Sequence, residues 1–264
     1  IDRRITTEVL KERHAEHDAG RFEKHLVPPK SLEPVSKAHT KARARHYSLT
    51  LPWGEEGIRI LSSAAFFEYT KAMAEERSNC ERAHREFIAE YPALLANAPS
   101  RLGRELFNPK DFPDPSLIAD KFGFTLKIMP VPEQNDFRVE LGAETEAAIR
   151  QSIEETVKEQ YGEAQRELWE RLLDTVKHFA VTMKEEKKIF RDTTVTKLAD
   201  LARIAPKLSL TPDPKLEKIC AQVLQITSSV DPNVLRENKT VRRDMAESAM
   251  DAVRKIEQAM AGAF

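Results

Sequence analysis

The stretch AETEAAIRQSIEETVKEQYGEAQRELWERLLDTVKHFAVTMKEEKKIFR, residues 143–191, decides the fold class. Within it Ile149, Ile153, Val157, Tyr161, Ala164, Leu168, Leu172, Val176, Phe179 and Met183 recur at steps of four or three residues. An α-helix turns once in about 3.6 residues, so all of these side chains fall on one stripe. Their mean step exceeds the roughly 3.5 residues of a left-handed coiled coil, which predicts nearly straight or slightly right-handed packing. At ~1.5 Å per residue the helix would be roughly 70 Å long. Glutamates in its first turns and Lys187, Lys188 and Arg191 in its last agree with the helix dipole. Glu154/Lys158 and Glu167/Arg171 add favourable pairs four residues apart.

A second stripe precedes it. Phe66, Met73, Cys80, Phe87 and Leu94 recur every seven residues, with Tyr69 and Ala83 partly filling a second seam. No Gly or Pro falls between Ile58 and Tyr91, and Pro92 is expected to kink the helix or end it near Glu90. The two runs predict a long antiparallel helical hairpin over 62–191 whose stripes bury one another.

Between the runs lies an insert, 99–141. Seven of the fifteen prolines fall between Pro92 and Pro132. Asp114-Pro115 opens a short helix that Gly123 stops. Phe124, Leu126 and Ile128 alternate with polar residues or Met129, and Phe137, Val139 and Leu141 alternate again after a proline loop. That pattern predicts a β-hairpin with one apolar face. Such a head would present Met129, Phe137 and Val139 as an interaction surface.

The flanks read as shorter elements. In 1–61, a helix runs to about Leu26 with Ile1, Ile5, Val9 and Leu10 inward, interrupted at Gly20. Ser31 opens the next, to about His46, with Leu32, Val35, His39, Ala42 and His46 on one stripe. Tyr47, Leu49 and Leu51, then Ile58 and Ile60, form two extended arms around a Pro52–Gly57 turn. In 192–264, Val195, Leu198, Leu201 and Ile204 make a helix that Pro206 ends, Asp213-Pro214 opens a second, Asp231-Pro232 a short third, and Thr240 the last. The fold class expected is mainly α: a long antiparallel helical hairpin, a small β-hairpin-containing head and a C-terminal bundle of short helices, folding as one cooperative unit.

Composition narrows the function. Charged residues make up 32% of 264 and formal net charge is −1, so no global field steers the chain onto nucleic acid or membrane. Two cysteines make no disulfide framework, and no apolar run approaches the ~20 residues of a membrane span. A cytoplasmic protein is expected. The chain begins at Ile1 and not at Met, which reads as residues missing ahead of it.

Catalytic chemistry finds little support. His14 and His17 lie one helical turn apart beside Asp18, but no cysteine is near to complete a zinc site, and neither metal nor cofactor is expected. Cys80 sits on an apolar stripe where a buried, inert thiol belongs. Nucleophile-elbow, P-loop and dinucleotide-binding patterns are absent, so an enzyme is disfavoured. After Glu33 the second helix carries Lys37, Lys41, Arg43 and Arg45 with no acid, and Tyr47 and Trp53 follow as stacking candidates. Together with Arg242 and Arg243 these are the candidate nucleic-acid contacts; the plainer reading is a solvated basic face, or one docked on the acidic start of the long helix.

Several phrases form a set. Ala19-Gly20-Arg21-Phe22, Lys24-His25-Leu26, Thr50-Leu51-Pro52-Trp53-Gly54, Glu90-Tyr91-Pro92-Ala93-Leu94, Pro130-Val131-Pro132 with Asp136-Phe137-Arg138-Val139, and Leu208-Ser209-Leu210-Thr211-Pro212-Asp213-Pro214 all belong to it. Over nearly the whole chain they resemble an uncharacterised domain-of-unknown-function family of bacteriophages and proteobacteria. The resemblance transfers no catalytic residue. It implies a phage-borne protein with a protein partner or self-association, the partner being an AAA+ ATPase or a von Willebrand type A protein. The expected function is a non-enzymatic helical interaction or assembly protein in the host cytoplasm. The alternatives are a nucleic-acid-binding protein and, more remotely, a membrane-active helical protein with the Phe124–Leu141 hairpin as its tongue.

Overall fold

A computed structural model of the chain describes residues 2–54, 57–133, 143–184, 192–228, 234–235 and 238–264. The protein is mainly α, as expected. It forms two compact units, one of residues 1–44 and 72–127 and one of residues 45–71 and 128–264. Among the described residues no helix is long and apolar enough to cross a membrane.

In the first unit, α1 (Arg3–Glu12) begins on Asp2, whose Oδ1 accepts from the Ile5 amide at 3.2 Å. The expected continuation to Leu26 does not form. His14 adopts the left-handed conformation (φ 52°); its amide bonds Lys11 O at 3.1 Å and the Ala15 amide bonds Leu10 O at 2.9 Å. These two bonds satisfy the orphan carbonyls of the last turn and lead the chain away. His14 and His17 therefore do not share a helix face. The chain then returns to place Lys24 between Asp2 (3.2 Å) and Asp111 (2.5 Å), and the bond to Asp111 above all holds the ammonium pKa above its ordinary value.

Helix α2 (Pro29–Ser48) lies against α3 (Phe66–Leu106), and within the first unit the contacts run antiparallel. Ser31 Oγ meets Glu90 at 3.2 Å, His39 Nε2 meets His84 Nε2 at 2.7 Å, and Lys41 Nζ meets Glu76 at 3.2 Å. Val35 and Ala38 of α2 pack with Ala83, Phe87 and Tyr91 of α3, and Val27, Ile118 and Phe122 close the core. Leu32, expected inward, is exposed. Pro92 does not end α3, contrary to expectation, and neither does Pro99. Its missing amide costs one helical bond, but the same turn buries Phe87 and Tyr91 and lets the Tyr91 hydroxyl donate to Pro113 O at 2.9 Å. Burying such side chains is worth ~1.5–3 kcal/mol each, enough to hold the turn. The chain breaks instead at Gly103 (φ 72°).

Beyond α3 the predicted helix from Pro115 shrinks to a 3-10 turn, Ile118–Lys121. Asp114 Oδ1 accepts from both the amide and the hydroxyl of Ser116, a local turn that competes with helix. Residues 122–133 contain no strand, so the first arm of the expected hairpin does not pair as one. Its second arm, with Phe137, Val139 and Leu141, lies outside the described residues, as do the predicted helix end at 185–191 and the Asp231-Pro232 start.

The second unit is built on α4 (Ala143–Lys184). Leu168, Leu172, Val176, Phe179 and Met183 are at most 2% exposed, whereas Ile153, Val157 and Tyr161 are only half-buried. The Phe66–Leu94 stripe, expected as its partner, belongs from Met73 onward to the first unit, and within the second unit the α4 stripe packs on other helices. Its cover is α7 (Lys239–Ala261) and α5 (Asp192–Leu208). The reason lies on α7: Ala246, Ala249, Ala252 and Ala259 are all buried, and small side chains let the two helix backbones approach closely. Lys177–Glu257 at 2.7 Å and Arg242 Nη2 to Thr182 O at 3.0 Å fix the pair antiparallel. Phe66, the first residue of the other stripe, is 39% exposed.

Helix α6 (Pro214–Ser228) opens at Asp213-Pro214 as expected, and α5 runs two residues past Pro206. Asn238, two residues ahead of the expected Thr240, caps α7. The small hairpin exists but is shorter than expected: β1 (Leu51–Pro52) pairs with β2 (Arg59–Ile60), Leu51 facing Ile60, while Tyr47 still belongs to α2. In its turn Trp53 packs edge-on against Tyr161 (centroids 5.0 Å apart). Gly54 has φ 57°, and a Cβ added there would lie only 3.1 Å from Gln160 Nε2.

Candidate functional site

The last turn of α2, from Arg45 on, belongs to the second unit; there the end of the helix leaves carbonyls without helical partners, and guanidinium groups answer them. Arg171 of α4 donates Nη1 to Tyr47 O at 3.2 Å and Nη2 to Thr50 O at 3.2 Å. Glu167, one turn earlier, holds the same guanidinium through Oε1 (3.1 Å to Nε) and Oε2 (2.7 Å to Nη2). Arg59 reaches Thr50 O at 2.8 Å and lies over the Tyr47 ring at 4.8 Å. Burial pulls the Arg59 pKa down, Glu167 opposes this, and Arg171 adds to it.

Beside this cap opens a cleft of about 340 Å³ between the end of α2, the start of α3, α4 and α5. Its lining carries Arg45, Arg171, Lys197 and Arg203 against Glu68 and Asp200, over an apolar floor from Leu49, Leu201 and Ile204. The acids are already engaged: Glu68 with Lys207 at 2.9 Å and Asp200 with Arg203 at 2.9 Å. Arg171 is committed to Glu167. Arg45 and Lys197 have no carboxylate partner among the described residues, so the cleft carries unmatched positive charge. What this arrangement can do is hold an anionic group that also lays apolar surface on the floor.

Of the sequence candidates, the structure places only Arg45 on this cleft. Lys37 pairs with Glu33 at 2.7 Å, Lys41 with Glu76, and Arg243 with Glu247 at 3.2 Å. Arg43 is exposed. Arg242 is 7% exposed and donates into the α4–α7 interface, so it serves the core. Trp53 is spent on Tyr161 and Tyr47 on Arg59. Met129 is 69% exposed, while Phe137 and Val139 lie outside the described residues. Sequence reasoning missed Lys197 because it sits on the polar face of a short helix, where nothing local ties it to Arg45.

Both thiols are buried, Cys80 on the stripe where a buried thiol is expected. Cys80 is fully buried with its pKa raised by burial and by Glu76 and Glu81, and burial pushes Cys220 up to about 12. Among the described residues no three His, Cys, Asp or Glu side chains converge as metal ligands. No family model, curated protein or solved structure matches the chain.

Proposed function

We propose that the protein is a non-enzymatic interaction protein that docks an acidic, partly apolar segment of a partner protein in the cleft at the end of α2. The observation that carries this is the pair Arg45 and Lys197, cations without carboxylate partners among the described residues, flanking the apolar floor. An acidic segment would bring the missing counter-charges and cover the half-buried Leu201 in one step. The resemblance to a phage-borne family supports the wider setting, an assembly role in the host cytoplasm beside an AAA+ ATPase or a von Willebrand type A protein.

The test is binding of a fluorescent peptide of alternating Glu and Leu, followed by anisotropy. Wild-type protein should bind and Arg45→Glu/Lys197→Glu should lose binding at least about tenfold with the fold unchanged. Equal binding by both proteins would overturn the reading.

A nucleic-acid reading keeps one specific support, the exposed Arg45 itself, a cation with no carboxylate partner among the described residues. Single-stranded DNA in the same assay separates the two. Binding that prefers DNA, with a steep salt dependence that the double variant flattens, would favour it over the peptide reading.

A further inference from the structure

We propose that His39 and His84 form a proton-operated clamp across the α2–α3 seam of the first unit. Their Nε2 atoms lie 2.7 Å apart and their ring planes are within 25° of parallel. The centroids are 4.9 Å apart, close to the sum of that contact and two ring radii, so the imidazoles meet largely tip to tip. In that geometry the space between the rings holds one proton. Either ring can be the donor, and the other must present a bare lone pair.

The proton count then sets the state of the clamp. With both rings neutral, one N–H···N bond closes it. A first added proton keeps that bond and makes it charge-assisted. A second leaves two N–H donors face to face with no acceptor, and two like charges in contact. The His84 ring is also held from one face, stacked on Phe122 at 5.0 Å, and Phe122 packs on Phe87 at 5.4 Å. The second proton therefore separates the helices or does not bind.

The surrounding charges do not neutralise this. Glu81 favours the charged form of His84, but burial and His39 oppose it and the net direction is downward from 6.5. The neighbouring acid on the seam, Glu76, is committed to Lys41, and Arg77 lies over the Phe124 ring. On α2 itself the charges flanking His39 are Lys37, paired with Glu33, and Lys41. Because the folded pKa is depressed, the clamp's contribution is present above the ordinary histidine range and lost as pH falls below it. The expected device is a seam that stays shut at neutral pH and opens in acid.

The experiment uses the full chain with ¹⁵N-labelled histidine, followed by imidazole NMR and amide exchange between about pH 7.5 and 4.5. His84 should take up the second proton of the pair below the ordinary 6.5. In step with the second, amides of residues 38–42 should lose about tenfold or more protection relative to α7 amides. His39→Gln, whose side chain can still bond His84 but takes up no proton, should show no such loss. Two independent titrations at the ordinary value would overturn the proposal, as would unchanged protection through the second step or equal loss in the variant. If His39→Gln does not fold, the wild-type coincidence of second step and lost protection decides alone.

Discussion

The indole N–H of Trp169 donates to Asp213 Oδ2 at 3.2 Å, while the other oxygen of that carboxylate accepts from the amides of Lys215 (3.1 Å) and Leu216 (3.0 Å). One side chain thus starts α6 and ties it to α4. Trp169 is 2% exposed, so its N–H has no access to water if the carboxylate is lost. Asp213→Ala should destabilise by about 2–4 kcal/mol, a lost cap plus an unsatisfied buried donor. Asp213→Asn keeps the cap and should cost roughly half as much or less. Urea unfolding of both variants checks the ranking.

Burial along α4 is uneven, and this sets a second expectation. Leu172 is fully buried and Ile153 is not. Leu172→Ala should cost about 2–5 kcal/mol by transfer and cavity terms. Ile153→Ala should cost roughly 1 kcal/mol or less, because its surroundings are already open to solvent. Similar losses at the two sites, measured by chemical denaturation, would contradict the packing described.

Two positive-φ positions predict opposite signs. His14 carries a side chain in the left-handed region, so His14→Gly should stabilise by about 0.5–1 kcal/mol. Gly54 sits at φ 57° with Gln160 close by, and Gly54→Ala should destabilise by about 1 kcal/mol. Thermal melts of the two variants should move in opposite directions.

In the second unit His46 Nδ1 meets the Tyr69 hydroxyl at 3.0 Å, and burial first, then Arg59, holds its pKa below 6.5. A depressed folded pKa means stability that is present above 6.5 and lost as pH falls toward the folded value. His46→Gln should flatten part of the acid slope of stability between about pH 7 and 5, measured by denaturant midpoints, and leave the part that belongs to His84.

How far the sequence carries can be argued from particular residues. The Leu168–Met183 repeat identified α4 and its buried face, because periodicity is a local property and burial follows it. It did not identify the cover. Two apolar stripes of similar length are indistinguishable as partners on hydrophobicity, and the alanines of α7 decide the matter only once backbone approach is considered. Pro92 misled because a local rule was outweighed by Phe87 and Tyr91 beside it. At the cleft, Arg45 was legible from its place on a basic helix. Lys197 was not, since only tertiary contact makes the two neighbours.

The interleaving of the two units has a consequence for the order in which the chain can fold as it leaves a ribosome. Everything the first unit needs, 1–44 and 72–127, has been made by residue 127. Segment 45–71 has by then also been made, yet α4, on which β1 packs within the second unit, comes only from residue 143 onward. A nascent chain whose residue 127 has just cleared the ribosome therefore holds a finished unit with an unsatisfied apolar loop spliced into it. During that interval Leu49, Leu51 and the edge of the short hairpin are open to chaperones, and slowing translation there would lengthen their exposure.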